Sequence, residues 1–188
     1  DRAALMDRLH LEEIGEASDD LITALLCGLL PNGWVVLVDQ RKKLDLPQVL
    51  ASASSGTFAL GCLVVEVVNA SQAWGYRDGH QIWTVEHDPE KYENCARAEG
   101  DVPPQYAEIE SRIQADISTD PEVDFYFDAA IDLAASMSGF YPAAGQGTDW
   151  RVVRPRRSGL VPLAENPPRP ISAAFQSEFL PYLRARGW

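Results

Sequence analysis

"WGYRDGHQIWTVEHD", residues Trp74 to Asp88, decides the fold of this chain because its pattern is that of a β-hairpin. Asp78-Gly79 lies between two strand-like runs, and this dipeptide favours a two-residue type I′ turn with positive φ at both positions. Counting outward from the turn places Trp74 opposite Trp83. The stretch therefore predicts two antiparallel strands held in register by a cross-strand tryptophan pair.

The run before the hairpin, "TFALGCLVVEVVNA" from Thr57 to Ala70, predicts the central strand of a sheet. Its apolar residues occupy both faces, which is typical of a strand that is covered on each side. Glu66 is its one charged residue. Its carboxylate either reaches water near the strand end or sits in a pocket that raises its pKa.

Helical patterns flank these strands. Leucine and isoleucine recur at helical spacing over residues 21–29 and predict the second of two N-terminal helices. Asp45, followed by a proline near the first turn, predicts a short helix. Residues 104–139 predict two further helices, and residues 171–188 predict an amphipathic helix at the C-terminus.

The expected fold is α+β, with an antiparallel sheet of about four to six strands. Helices from both termini and from the middle of the chain pack on this sheet. Residues 1–149 form a single acidic domain in this interpretation. Residues 150–188, which hold five prolines between Pro155 and Pro170, form a basic loop or arm outside the core and a C-terminal helix, packed on the domain or extending from it.

The net charge of −12 is unevenly spread. Residues 1–150 hold 26 Asp and Glu against 9 Lys and Arg, a net charge of −17. Residues 151–188 hold 7 Arg and 2 Glu, a net charge of +5. An acidic body repels phosphate backbones, which disfavours nucleic acid as a partner. It attracts a basic protein, although solubility alone is the simpler explanation of acidity.

Apolar runs and cysteines bound the location of the protein. No apolar run reaches the roughly 20 residues of a membrane span, so we expect no membrane partner. Cys27, Cys62 and Cys95 are odd in number and form no C-x-x-C pair. This usage indicates a reducing cytoplasm rather than a disulfide scaffold.

The chemical candidates are His87, Asp88 and Glu66 at the end of the hairpin. A histidine beside carboxylates is a common arrangement for general base catalysis. Strand rise places His80 roughly 20 Å from His87, so the two cannot share a metal ion. With no glycine-rich phosphate loop either, the sequence predicts no metal and no cofactor.

Two stretches resemble signatures of a family of small bacterial proteins of uncharacterised function. "NASQAWGYRDGHQIWTVEHD" is similar to an S…W..G..-W.V.HD motif, and "VDFYFDAAIDLAASMSGF" is similar to a VD-x-x-FD element that leads to LA…GF. The similarity spans about residues 31–141. It implies the same order of elements and an immunity-type role beside toxin genes. This chain departs from the pattern because "GFYPAA" lacks a following His-Asp pair.

Three functions remain open as hypotheses. The first is a non-enzymatic cytoplasmic protein-binding domain, an immunity-type inhibitor of a basic toxin or enzyme. Its contacts would lie on acidic helices that include residues 108–124 and, near the N-terminus, Glu12, Glu13, Asp19 and Asp20. The second is a small-ligand-binding module or hydrolase-like enzyme that uses His87, Asp88 and Glu66, with Trp34, Trp74 and Trp83 lining a groove or belonging to the core. The third is a structural subunit that docks through residues 150–170.

Overall fold

The computed structural model describes residues 1–16, 25–39, 44–92, 95–141 and 148–156. The chain divides into two compact units, of which unit 1 comprises residues 1–44 and 140–188 and unit 2 comprises residues 45–139. The expected α+β class with antiparallel pairing is confirmed, and the strands divide between two four-stranded sheets. In the described part of the chain, no helix is long and apolar enough to cross a membrane.

In chain order, the helices and strands are α1 (Arg2–Arg8), β1 (Leu11–Glu16), β2 (Leu25–Leu29), β3 (Val35–Asp39), α2 (Leu46–Ala53), β4 (Phe58–Val65), β5 (Ala70–Arg77), β6 (His80–His87), β7 (Arg97–Gly100), α3 (Gln105–Thr119), α4 (Ala129–Ser138) and β8 (Arg151–Pro155). There are two short 3-10 turns among the described residues. Glu66–Val68 follows β4, and Phe125–Asp128 precedes α4. The C-terminal helix expected over residues 171–188 lies outside the described residues.

Unit 1 is an antiparallel sheet with the strand order β1-β8-β2-β3. β8 comes last in the chain but pairs with β1 on one side and β2 on the other. Val153 of β8 is only 2% exposed. The prediction of a loop outside the core is therefore wrong for Arg151–Pro155, which supply a central strand.

The helix predicted over residues 21–29 is wrong where the structure describes it, because Leu25–Leu29 form β2. β2 lies between two other strands, and Leu25, Leu26 and Cys27 are all buried. A strand buried on both faces has consecutive apolar residues, which helical spacing does not distinguish from a buried helix. Gly28 allows close packing here, since a Cβ atom at this position would lie 2.7 Å from the Trp150 ring.

Unit 2 is a meander with the strand order β4-β5-β6-β7 and helices on both faces. On one face, α2 places Leu50 so close to β4 that a Cβ atom on Gly61 would lie 2.5 Å from it. On the other face, α3 and α4 pack their apolar stripes against β5 and β6. The two helices expected between residues 104 and 139 are confirmed, as is the helix after Asp45, whose side chain accepts a hydrogen bond from the Gln48 amide at 3.2 Å.

The predicted hairpin is confirmed, but the predicted pairing of Trp74 with Trp83 is wrong. Asp78 and Gly79 have φ values of 50° and 83°, as a type I′ turn requires. The predicted register holds next to the turn and then shifts by one residue at a β-bulge, so that Trp83 lies opposite Gly75. The bulge allows the Trp83 ring to occupy the space over Gly75, where a Cβ atom would lie 2.1 Å from Nε1 of the indole.

The single strand predicted from Thr57 to Ala70 is two strands. β4 ends at Val65, and the chain reverses through the 3-10 turn and Asn69, whose φ is 53°. β5 then begins at Ala70 and pairs with β4. β4 is covered on both faces as expected, but it lies at the end of the strand order instead of its centre.

Candidate functional site

His87 lies at the end of β6 with only 1% of its surface exposed. Its Nδ1 atom is 2.8 Å from the backbone oxygen of Cys95, and its Nε2 atom is 2.8 Å from Oδ2 of Asp124. The Tyr126 ring stacks on the imidazole with its centroid 6.2 Å away. Both ring nitrogens of His87 therefore have hydrogen-bond partners within the protein.

Asn69 and Ser71 complete this group, which we call the His87 cluster: Asn69, Ser71, His87, Asp124 and Tyr126. The Asn69 amide donates to the same Asp124 oxygen at 2.5 Å, and the Ser71 hydroxyl donates to the backbone oxygen of Phe127 at 2.7 Å. These contacts join the turn between β4 and β5, the end of β6 and the connection between α3 and α4. The cluster thus fastens three segments that are distant in sequence.

The hydrogen-bond pattern limits what His87 can do chemically. A backbone oxygen only accepts hydrogen bonds, so Nδ1 donates to Cys95. Nε2 faces the Asp124 carboxylate, which leaves no ring nitrogen free to take a proton from a substrate. The arrangement supports a structural role for His87 more strongly than a catalytic one.

Two buried polar atoms near the cluster have no hydrogen-bond partner among the described residues, Oδ1 of Asp124 and the hydroxyl of Tyr106. Burial raises the pKa of Tyr106 to about 12, and the nearby Glu110 carboxylate adds to this effect. Burial also raises the pKa of Tyr126, whose hydroxyl accepts a hydrogen bond from Gln114. Neither phenol is therefore suited to proton transfer near neutral pH.

Asp88 and Glu66, the other two catalytic candidates, have separate environments. Lys91 contacts Asp88 at 2.9 Å and Glu86 at 3.0 Å, and its hydrogen bond lowers the pKa of Asp88. Glu66 begins the 3-10 turn after β4, and burial raises its pKa. Among the described residues, no hydrogen bond or ion pair joins Glu66 or Asp88 to His87.

Of the three tryptophans that were expected to line a groove or to belong to the core, Trp74 and Trp83 lie on opposite faces of the unit 2 sheet. Trp83 is only 2% exposed and belongs to the core beneath α3 and α4. Trp74 is on the other face of the same sheet, where it packs against the cluster of Leu50 and Tyr76. Trp34 belongs to unit 1 and begins the approach to β3.

The acidic contact candidates near the N-terminus lie on strand β1 instead of a helix, and they are paired within unit 1. Glu12 contacts Arg154 at 2.6 Å, and Glu13 contacts Arg151 at 3.6 Å. Arg156 likewise contacts Asp7 at 3.0 Å. The basic residues 151–156 therefore neutralise acidic residues of their own unit. Asp19 and Asp20 lie outside the described residues.

The negative charge of the chain resides in unit 2. Residues 45–139 hold 17 Asp and Glu against 4 Lys and Arg, a net charge of −13, whereas unit 1 holds 11 against 12, a net charge of +1. Each of the four cations of unit 2 is engaged within it. Three pair with carboxylates and one lies over a phenylalanine ring: Lys91 with Glu86 and Asp88, Arg97 with Glu99, Arg112 with Asp132, and Arg77 with Phe58.

Sequence reasoning found His87 but missed Asp124 and Asn69. The available signal was the VD-x-x-FD element, which contains Asp124 and which the structure brings to the His-Asp end of the hairpin. Within the described ranges, no three His, Cys, Asp or Glu side chains come together as a metal site. No family model, no curated protein and no solved structure matches the chain, so the resemblance to the small bacterial proteins stays a prediction.

Proposed function

We propose that this chain is a cytoplasmic, non-enzymatic protein-binding domain of the immunity type, and that its partner is a basic protein. The observation that carries this proposal is the net charge of −13 on unit 2, which pairing within the unit does not neutralise. The four Lys and Arg side chains of unit 2 already contact carboxylates or, in one case, a phenylalanine ring. A basic partner would supply the missing positive charge.

The excess is concentrated on α3 and the segment after it. Residues 101–122 hold six acidic residues and one arginine, and that arginine pairs with Asp132 on α4. Glu108, Glu110, Asp120 and Glu122 are exposed, and no ion pair involves them among the described residues. Such a surface attracts a cationic protein at long range, accelerates its encounter and weakens with added salt.

Residues on β1 are poorer candidates for this contact. Glu12 and Glu13 face arginines of β8, so a basic partner would have to displace them. The acidic surface of α3 is therefore the better candidate for the contact.

The three cysteines are free, which fits the proposed reducing compartment.

The enzymatic or ligand-binding alternative is less well supported by these contacts. It requires His87 to meet a substrate, whereas both ring nitrogens are engaged and the side chain is 1% exposed. For the third hypothesis, docking through residues 150–170, the structure shows that Arg151, Arg154 and Arg156 already pair within unit 1, and residues 157–170 lie outside the described residues.

The experiment is affinity purification of the tagged full chain from its own host, washed at low and then high salt. Three baits are compared: the native chain, an α3 variant (Glu108→Gln, Asp120→Asn, Glu122→Gln) and a β1 variant (Glu12→Gln, Glu13→Gln). We expect one basic protein to bind the native and β1 baits, to elute with salt and to be lost from the α3 bait. We also expect the purified partner to lose its own activity in a stoichiometric complex.

Two results would contradict the proposal. In one, the native chain recovers no basic protein at low salt. In the other, the α3 bait retains the partner as well as the native chain does, which would show that the acidic surface contributes to solubility and not to partner binding.

A further inference from the structure

The turn between β4 and β5 exposes two consecutive valines. Val67 is 77% exposed and Val68 is 46% exposed, and both lie in the 3-10 turn Glu66–Val68. Tight turns favour Gly, Asn, Asp, Ser and Pro, since these residues satisfy turn geometry, and valine offers none of their advantages. Exposed side chains also gain little from the hydrophobic effect. Folding of the chain therefore does not account for either valine.

Hydrogen bonds anchor this turn to the rest of unit 2. Asn69, the next residue, has left-handed backbone geometry and donates to Asp124, which in turn contacts the buried His87. A turn fixed in this way presents its apolar side chains without further ordering, which lowers the entropic cost of binding. The His87 cluster thus positions the valines instead of performing chemistry.

Acidic residues lie next to this turn and next to the segment that it contacts. Asn69 contacts Asp124, and the exposed Asp120 and Glu122 lie four and two residues before Asp124 in the chain. An apolar centre with a charged border is the usual anatomy of a protein interface. A second copy of this chain is a poor occupant, because two units of charge −13 repel each other.

We infer that Val67 and Val68, positioned by Asn69, Asp124 and His87, are the apolar centre of the docking surface for a partner segment that combines an apolar side chain with flanking Lys or Arg. This inference rests on the proposed function, since it names the chemistry of the partner that the acidic unit attracts. The apolar contact supplies specificity and slow dissociation. The acidic border supplies the fast encounter.

The test is a selection of random 12-residue peptides displayed on phage against the full chain. The enriched peptides are then measured by titration against the native chain and two variants. The first is Val67→Ser with Val68→Ser, and the second, a matched control, is Ile14→Ser, which changes an aliphatic residue of unit 1 that is 52% exposed. Backbone amide NMR spectra establish that each variant is folded.

We expect the enriched peptides to pair Lys or Arg with a large apolar residue. The double valine variant should weaken their binding by at least about tenfold, and Ile14→Ser should change it less than about twofold. Basic peptides that bind the valine variant as tightly as the native chain would overturn the inference and leave the proposed function intact. Enrichment of peptides with no excess of Lys and Arg would overturn both. A native chain that sediments as a dimer through these valines would overturn the inference alone.

Discussion

The Nε2 atom of His87 lies 2.8 Å from Oδ2 of Asp124, a residue 37 positions later in the chain. This contact joins the end of β6 to the connection between α3 and α4. It also fixes Asn69, because the asparagine amide donates to the same carboxylate oxygen. The stability of this end of unit 2 should therefore depend on one shared carboxylate.

The substitution His87→Leu should lower the free energy of unfolding of unit 2 by about 2–4 kcal/mol, because it leaves the partly buried Asp124 carboxylate without one of its two hydrogen-bond partners. Urea denaturation followed by tryptophan fluorescence measures this change. The neighbouring Glu86→Gln is the control, since Glu86 pairs with the exposed Lys91 and its substitution should cost less than about 1 kcal/mol. Equal stability of His87→Leu and the native chain would contradict the structural role of His87.

Two substitutions at Asn69 should separate its backbone conformation from its hydrogen bond. Glycine adopts the φ of 53° without strain, so Asn69→Gly loses only the hydrogen bond to Asp124. Asn69→Ala loses the same bond and also carries the steric cost of left-handed backbone geometry. We expect the alanine variant to be less stable than the glycine variant by about 1 kcal/mol. Chemical denaturation of both variants checks this order, and the reverse order would show that the turn is not constrained as described.

Gly75→Ala should destabilise unit 2 by about 1–3 kcal/mol, because the added methyl group would overlap the Trp83 ring. The shift should appear as an altered near-ultraviolet circular dichroism signal of the tryptophan as well as a lower unfolding midpoint. Gly15→Ala is the control, since no atom of the described residues, its two chain neighbours aside, lies within 4 Å of a Cβ at that position. A neutral Gly75→Ala would contradict the bulged register of the hairpin.

Glu66→Gln should change how stability depends on pH. Burial raises the pKa of Glu66 above its ordinary value of 4.5, so the folded state holds this proton more tightly than the unfolded state does. The resulting stabilisation is present below the ordinary value and is lost as pH rises through the raised value. Glutamine removes this loss, so the variant should gain stability relative to the native chain as the pH rises above 4.5. Parallel pH profiles for the two proteins would contradict the burial of this carboxylate.

Local sequence signals predicted the parts of the fold that depend on local chemistry. The Asp78-Gly79 turn follows from the φ values that these two residues tolerate, and α3 follows from the spacing of Tyr106, Ile109 and Ile113. The errors arose where distant residues decide the structure. The bulge that moves Trp83 opposite Gly75 depends on packing beneath α3 and α4, and Leu25–Leu29 become a strand because β8 arrives from the other end of the chain.

The candidate site was only partly predictable for the same reason. His87 stands out because it follows an alternating strand pattern, but nothing in its neighbourhood in sequence indicates Asp124 as its partner. Asp88 is adjacent in sequence, yet it contacts the exposed Lys91. Adjacent residues near a strand end commonly point in different directions, so a His-Asp dipeptide is weak support for a joint site.

The position of β8 between β1 and β2 also constrains the order in which the two units can fold during synthesis on the ribosome. The sheet of unit 1 needs residues 151–155, whereas every strand of unit 2 has emerged by residue 100 and its last helix by residue 138. Unit 2 is thus an insertion that completes its own sheet while β1, β2 and β3 still await their central strand. During synthesis, the acidic unit should fold first, and the nearly neutral unit should close around the returning chain afterwards.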